Sequence, residues 1–499
     1  MPNAIYNQIL YDEAFYGEYA ENDLLLWGIE VDWDGDGVFD GENEAEFVTE
    51  LRVERGRDHY VDFQANGIVF PHVGSLTLTL DNSDRRYDAR NASGPLYGLI
   101  DSGKFIRVGV MYREVYYPVF FGIISDIRPA GRWEVRLHAE DGLGWFTDKD
   151  VYVPVQTGLR IDEAMDAVLD DVAWPSIWGR DLDISSDILP FWWADGSAAG
   201  EISRLMQSGL GYFAAMADGR ARFIRRNTVT VDGIGLADEN TLNDAEPGLP
   251  LDSYRNIVRV AYYPLVQKGT GTIWEDTTTL QVPAGGSRTI WVDYTYDSEP
   301  APAVNVLSPV ATTDYTMNAA ADGSGANLTG SCSVTLTNFG KKGKLVVANS
   351  SGSLGHMTLL KVRGDAIVVD YPGAVEELRG DYLTNPRSFK LELPLQQNAE
   401  AAEGIAEIFA DFLVNRNTWP TVQVEGRPDV QFGMDLFDTV RYTSVGFGVD
   451  ESFRVGKIVH EASGTLQVVR SMFKLEPYIT GAPAWTFDIV DFGVDTIFG

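Results

Sequence analysis

"SLTLTLDNSDRRYDARN", residues 75–91, alternates polar and apolar side chains strictly over its first six positions, then breaks into Asn, Asp, Ser and Arg. Strict alternation puts every second side chain on one face of a pleated strand. The polar run that follows is turn chemistry. The same period recurs around it. "WEVRLHA" (133–139) alternates, and "FIRVGVMY" (105–112) and "YPVFFGIISDI" (117–127) are β-rich and bounded by glycine or charge. Residues 24–150 therefore read as a half-open barrel or sandwich.

Composition agrees with many strands and tight turns. The chain has 499 residues, 44% hydrophobic and 12% aromatic, with 50 glycines. That length suggests about three or four domains, each able to bury a core. Net charge is −34, from 39 basic and 73 acidic side chains. Such a surface repels nucleic acid and anionic membranes, so it argues against sequence-specific nucleic-acid binding. It suits solubility, or a wall past which DNA slides without adhering.

The single cysteine, Cys332, shares a strand face with Val334 and Leu336, which reads as a buried core thiol. One cysteine allows no disulfide framework within the chain. The start carries no basic, apolar signal pattern, and no run approaches the length needed for stable membrane insertion. A protein made in the cytoplasm is the expectation, and the sequons at Asn91, Asn327 and Asn349 matter only in a secretory pathway.

Beyond residue 155 the period changes. In "TGLRIDEAMDAVLDD" the residues Ile161, Met165, Val168 and Leu169 fall on one helical face, with Thr157 or Gly158 offering the N-cap. "SAAGEISRLMQSG" reads as a second helix with Ile202, Leu205 and Met206 inward and Gly209 as its stop. "GYFAAMADGRARFIRR" reads as a hairpin around Asp218-Gly219. Strands return from about residue 265 in "SRTIWVDYTY", "SCSVTLTNF" and "GKLVVANS", suggesting a β-sandwich. One more helix, "NAEAAEGIAEIFADFLVNR", places Ile405, Ile408, Phe409, Phe412 and Leu413 on one face among further strands.

One segment looks like chemistry. "DWDGDGVFDGEN" sets Asp32, Asp34, Asp36 and Asp40 at positions 1, 3, 5 and 9 of a calcium-type loop, with Gly37 at 6 and the Val38 carbonyl at 7. Position 12, which should be a bidentate glutamate, is Asn43, and Glu44 falls one place late. The flanks read as strands, so a calcium or similar hard-cation site would sit at a hairpin tip. The other reading is a solvated acidic turn.

Enzyme motifs are absent. "HEASG" (460–464) begins like a zincin helix but lacks its second histidine, and there is no phosphate loop, nucleophile elbow or dinucleotide fingerprint. The five histidines are scattered and read as structural. The tryptophans of "FWWADG" suit packing, or stacking on sugars.

The run "SLTLTLDNSDRRYDARNASGPLYGLIDSGKFIRVGV", followed by "VFFGIISDIRP" and "LHAEDGLGWF", resembles the minor tail proteins of long-tailed phages, in the baseplate hub group at the tail tip. The elements that carry it are Asn82 through Asn91, Pro95 to Tyr97, Lys104 and Phe121-Gly122. The resemblance covers residues 24–230 and 375–499. It implies a mainly β chain with two tail-tube-like β-barrel domains, a small α+β unit with a helix and hairpin, and an inserted β-sandwich. The expected boundaries are 1–155 for the first barrel with the acidic loop, 156–230 for the α+β unit and 231–264 for connector strands. They continue with 265–370 for the insertion, 371–482 for the second barrel and 483–499 for a C-terminal docking tail. The barrels proper would be 24–155 and about 376–480.

The resemblance also implies a role without catalysis. Three copies would form a trimeric ring that joins a hexameric tail tube to a threefold tip and lets DNA pass. Its partners would be itself as a homotrimer, the distal tail protein, tail tube protein, tape measure protein and central tip or fibre proteins. It would reside in the virion, at the phage tail tip. Trp485, Phe487, Ile489, Val490 and Phe492 are the candidate docking residues on the tail. A competing reading makes the insertion and the tryptophans a binding module for a host-surface glycan. A third, a cell-envelope-degrading enzyme, has no motif behind it.

Overall fold

The computed structural model describes residues 25–477 apart from Asp40, 64–66, 227, 229–230, 239–240, 243–252 and 416–418. Strands take up 49% and helix 13%, so the protein is mainly β, with four α-helices among the described residues. The 75–80 stretch lies inside the strand His72–Asp81, where Leu76, Leu78 and Leu80 are buried, Ser75 is exposed, Thr77 is half-buried and Thr79 is covered by its neighbours. That strand pairs antiparallel with Val48–Gly56 on one side and Glu134–Asp141 on the other. The ladder continues through Val115–Pro129 and Phe105–Tyr112 to Leu26–Val31. Ile29, Val53, Leu76, Val108, Phe120 and Leu137 meet in the core it encloses.

In the other direction the sheet does not stop. Leu51–Gly56 pairs with Lys457–Ala462, the second half of the strand Val449–Ser463. The first half of that strand pairs with Thr439–Ser444, beyond which Val231–Ala237 adds in parallel. Val468–Pro477 lines its opposite edge, followed by Thr421–Glu425. The two regions expected as separate barrels thus share one 11-stranded sheet. No strand path among the described residues returns on itself, so neither region is a closed barrel here.

The physical reason is the length of one strand. Val449–Ser463 has 15 residues and spans roughly 50 Å at about 3.3 Å per residue, enough to serve two ladders in succession. The change of partner falls at Gly456. Gly56 sits opposite with φ +99°, and a Cβ on it would lie 2.2 Å from the Gly456 carbonyl oxygen. That oxygen accepts the Arg57 amide at 2.9 Å.

Between the two regions lies the unit with helices. The helix Ile161–Asp171 buries Ile161, Met165, Val168 and Leu169. It starts later than its sequence suggests, because Thr157 still pairs in the strand Asp150–Arg160 and that ladder runs to Arg160↔Ile188. Arg160 is the N-cap instead, its amide donating to Glu163 at 2.9 Å. The helix Ala198–Gly209 is capped by Ser197. Gly209 is its last residue rather than its stop; the left-handed residue is Leu210, φ +50°. Glycine at 209 serves packing, since a Cβ there would fall 2.8 Å from Ile161 Cδ1. Strands Tyr212–Ala215 and Ala221–Ile224 form the hairpin, turning at Gly219 with φ +87°.

The helix Ala399–Val414 packs on the sheet of Ile257–Tyr262, Gly373–Leu378 and Ser388–Glu392. Its buried stripe contains Ile405, Phe409, Phe412 and Leu413 with Ala402, Ala406 and Ala410, while Ile408 is only half-buried. Chain 265–370 leaves this sheet by a two-stranded neck, Leu265–Gln267 against the end of Gly355–Val369. Beyond the neck, Ile273, Val292, Tyr294, Met317, Leu345 and Val347 pack in a core of their own. Cys332 is buried there, and burial pushes its thiol up to about 11. No described helix is long and apolar enough to cross a membrane.

Candidate functional site

The acidic loop is not the hairpin tip its flanks suggest, because Leu26–Val31 and Val48–Gly56 pair with other strands and not with each other; it is wound on its own first residue. Asp32 is buried, and its carboxylate accepts the amides of Gly35 (2.8 Å), Asp36 (3.2 Å) and Gly37 (2.9 Å). Gly35 and Gly37 have φ of +78° and +86°, which only glycine adopts without strain. Asp34 and Asp36 are exposed, and one carboxylate oxygen from each of Asp32, Asp34 and Asp36 lies within 4.8 Å of the others. That spacing fits a hard cation held by oxygens. Asp40, the fourth candidate, lies outside the described residues.

The position-12 departure has a structural cause. Asn43 Oδ1 accepts the Ile29 amide at 2.9 Å and its Nδ2 donates to the Trp27 carbonyl at 2.8 Å. The side chain thus occupies the outer edge of Leu26–Val31, the last strand on that side of the sheet, and blunts it. Glu44 is spent as well. Only 1% exposed, it accepts Trp33 Nε1 (2.8 Å), Arg86 Nε (3.1 Å), Arg86 Nη2 (3.0 Å) and the Tyr87 hydroxyl (2.5 Å). Neither residue is available to close the loop as a bidentate ligand.

This makes sense of the polar run after His72–Asp81. Asn82 Oδ1 accepts the Tyr87 amide, Asp84 accepts the Arg86 amide, Asp88 pairs with Arg85, and Asn91 Nδ2 donates to the Arg85 carbonyl. The run folds on its own side chains and delivers Arg86 and Tyr87 to Glu44. Burial, then the neighbouring carboxylate, holds the Tyr87 phenol well above its ordinary range. The motif is a clamp between two loops.

A second polar node lies where the halves meet, and nothing in the sequence announces it. Arg57, fully buried, makes a two-pronged pair with Glu476, both contacts at 3.0 Å. Its guanidinium also lies over Tyr60 (4.5 Å) and Tyr212 (5.1 Å), which stack on each other. Nearby, Arg55 bonds Asp435 at 2.8 Å, and Asp435 accepts the Ala217 amide at 3.0 Å. The N-terminal strands, the hairpin and the C-terminal strands are pinned together there.

The zincin-like start is on a strand, so His460 and Glu461 point to opposite faces. His460 is buried, its Nδ1 2.8 Å from Ser471 Oγ, while Glu461 pairs with Arg52 outside. Ser471 Oγ also accepts Gln431 Nε2 at 3.1 Å, and burial, then the Arg55 charge, holds the His460 imidazole well below its ordinary range, so it is neutral. Trp192 of "FWWADG" is fully buried. The tail candidates Trp485, Phe487, Ile489, Val490 and Phe492 lie outside the described residues.

No family model and no curated protein matches the chain. Solved structures that it is similar to include tail and baseplate proteins and a type VI secretion component. The 43 kDa tail protein of prophage MuSo2 from Shewanella oneidensis aligns at TM-score 0.49 and 11% identity, over 91% of this chain and 99% of that one. A tail protein from Neisseria meningitidis aligns at TM-score 0.49 and 10% identity, over 91% and 98%. The Escherichia coli c3393 protein, a type VI secretion component, aligns at 0.39 and 9%, over 91% and 79%. At these values the role has to be argued from the chain's own residues.

Proposed function

We propose that this protein is a structural component of a phage tail tip: a baseplate hub subunit, three copies of which close into a ring. The observation that carries the reading is the strand Val449–Ser463. A ring of three chains can match a hexameric tube only if each chain supplies two sheet-built halves in a fixed relation. Here both halves hydrogen-bond to that one strand, and the buried Arg57–Glu476 pair locks the crossing. The resemblance of residues 75–122 to hub proteins and the acidity of the chain support the same reading, the latter because a negative lumen repels passing DNA. In this reading the partners are other tail proteins, and the acidic loop holds a calcium-like ion that stiffens the connection between Leu26–Val31 and Val48–Gly56, two strands at separate places in the sheet.

A low-resolution reconstruction of the virion tail tests it. The expected result is this chain at the distal end of the tail in a threefold ring. Tails complete without the chain, or a position lacking threefold order, would sink the proposal.

A further inference from the structure

The insertion carries an aromatic side chain that its fold does not use. Trp291 lies in the strand Ser287–Asp293 and is 59% exposed, although Ile290, Val292 and Tyr294 on the opposite face turn inward. The strand pairs with Lys342–Asn349, which pairs in turn with Cys332–Asn338. Register sets the outward neighbours. Trp291 stands opposite Lys344, which stands opposite Thr337, and Asp293 stands opposite Lys342. Thr289 and Asp293 flank the indole along the strand, roughly 13 Å apart by strand rise. Phe339 braces the indole, ring centres 5.2 Å apart at 44°, and is itself backed by Tyr152 at 6.4 Å. Lys342, over the Tyr152 ring, pairs with Asp195 at 3.1 Å, so that end of the face is closed and Trp291, Thr289, Lys344 and Thr337 form its open part.

We propose that this face binds a neutral glycan. A pyranose ring stacks on the Trp291 indole, with its hydroxyls met by Thr289 along the strand, by Lys344 and Thr337 across it, and by Asp293 where the open part ends. The chemistry favours sugar over other occupants. A pyranose presents axial C–H groups, slightly positive, to the negative face of an aromatic ring. It also presents hydroxyls at its rim, which need both donors and acceptors, and the face supplies ammonium, hydroxyl and carboxylate groups. An indole held by a neighbouring ring loses little freedom on binding. Charge argues against a polyanion. The chain as a whole carries −34, whereas residues 265–370 hold seven basic and nine acidic side chains, so a neutral polymer approaches this segment without penalty. The inference stands apart from the ring proposal: either can fail alone.

The test uses the full-length protein and hexamers of neutral linear glucan, mannan and galactan, titrated by calorimetry and tryptophan fluorescence. Binding of at least one hexamer is expected. Trp291→Ala should weaken it at least tenfold with an unchanged melting temperature, and Asp293→Ala and Lys344→Ala should weaken it less. Trp133→Ala, which removes another exposed tryptophan just before the strand Glu134–Asp141, should leave it intact. Failure to bind any hexamer at millimolar concentration overturns the inference. So does equal binding by Trp291→Ala, or a preference of the face for an acidic polymer, an oligonucleotide or a peptide of residues 483–499.

Discussion

Asp141 is a carboxylate kept almost out of water. It is 3% exposed, accepts the Leu143 amide at 3.0 Å, and lies so close to Gly74 that a Cβ there would come within 2.3 Å of its Oδ2. Burial, only partly offset by amide hydrogen bonds and Arg55, raises its pKa to about 7. His460, also buried, is lowered to about 3 by burial and by Arg55. The signs oppose. The Asp141 contribution is fully present below its ordinary value of 3.8 and is lost as pH rises through about 7. The His460 contribution is present above 6.5 and lost as pH falls through about 3. Between pH 6.5 and 8 the remaining Asp141 loss exceeds the last part of the His460 gain. Stability should therefore fall by about 0.4 kcal/mol over that range, and Asp141→Asn should abolish the fall. Urea midpoints at the two pH values decide it; an equal decline in the variant would rule Asp141 out as the cause. The acidic loop gives a second test at this scale. Chelation should lower the wild-type melting temperature and leave Asp34→Ala unmoved, since a ligand bound only by the folded state stabilises it. No shift in the wild type would return the loop to a solvated turn. The clustering of the Asp32, Asp34 and Asp36 carboxylates was legible because those residues are neighbours in sequence. The burial of Glu44 was not, because Arg86 and Tyr87 reach it from 42 and 43 residues away.

Strands and helices were the most legible level, since their period is local. The alternation of 75–80 and 133–139 and the 3.6-residue stripe of 161–169 each became the expected element. Errors fell at ends and partners. Thr157 looked like a cap but belongs to a ladder, and Gly209 looked like a stop but makes room for Ile161. The element that organises the molecule, Val449–Ser463, shows nothing in its pattern that marks two partners. Its crossing depends on glycine at 56, where the backbone is left-handed and a carbonyl blocks a side chain. Gly56→Ala should cost on the order of 2–4 kcal/mol by combining strain with overlap. Gly98→Ala, with φ +80° and nothing within 4 Å of its Cβ, should cost only about 1 kcal/mol. Equal urea midpoints for the two variants would show that the crossing has slack.

At the scale of the molecule, one sheet runs through both halves while two large cores lie on either side of the crossing. Arg57 and Glu476 sit at that crossing, 419 residues apart. Taking away one partner of such a buried pair costs about 3–5 kcal/mol, so the halves are coupled strongly in free energy as well as in geometry. The insertion keeps its own core and is joined by a two-stranded neck and by side-chain contacts of Lys342 with Asp195 and of Phe339 with Tyr152. By itself the sequence determined that this is an acidic, mainly β chain with three amphipathic helices and an Asp-rich loop, because those properties follow from composition and from periods a few residues long. The tertiary structure alone decided that the two strand-rich regions form one open sheet, that Asn43 and Glu44 serve packing instead of a metal, and that Trp291 faces solvent. Each of those depends on which distant strand or loop is adjacent, and no local period encodes adjacency.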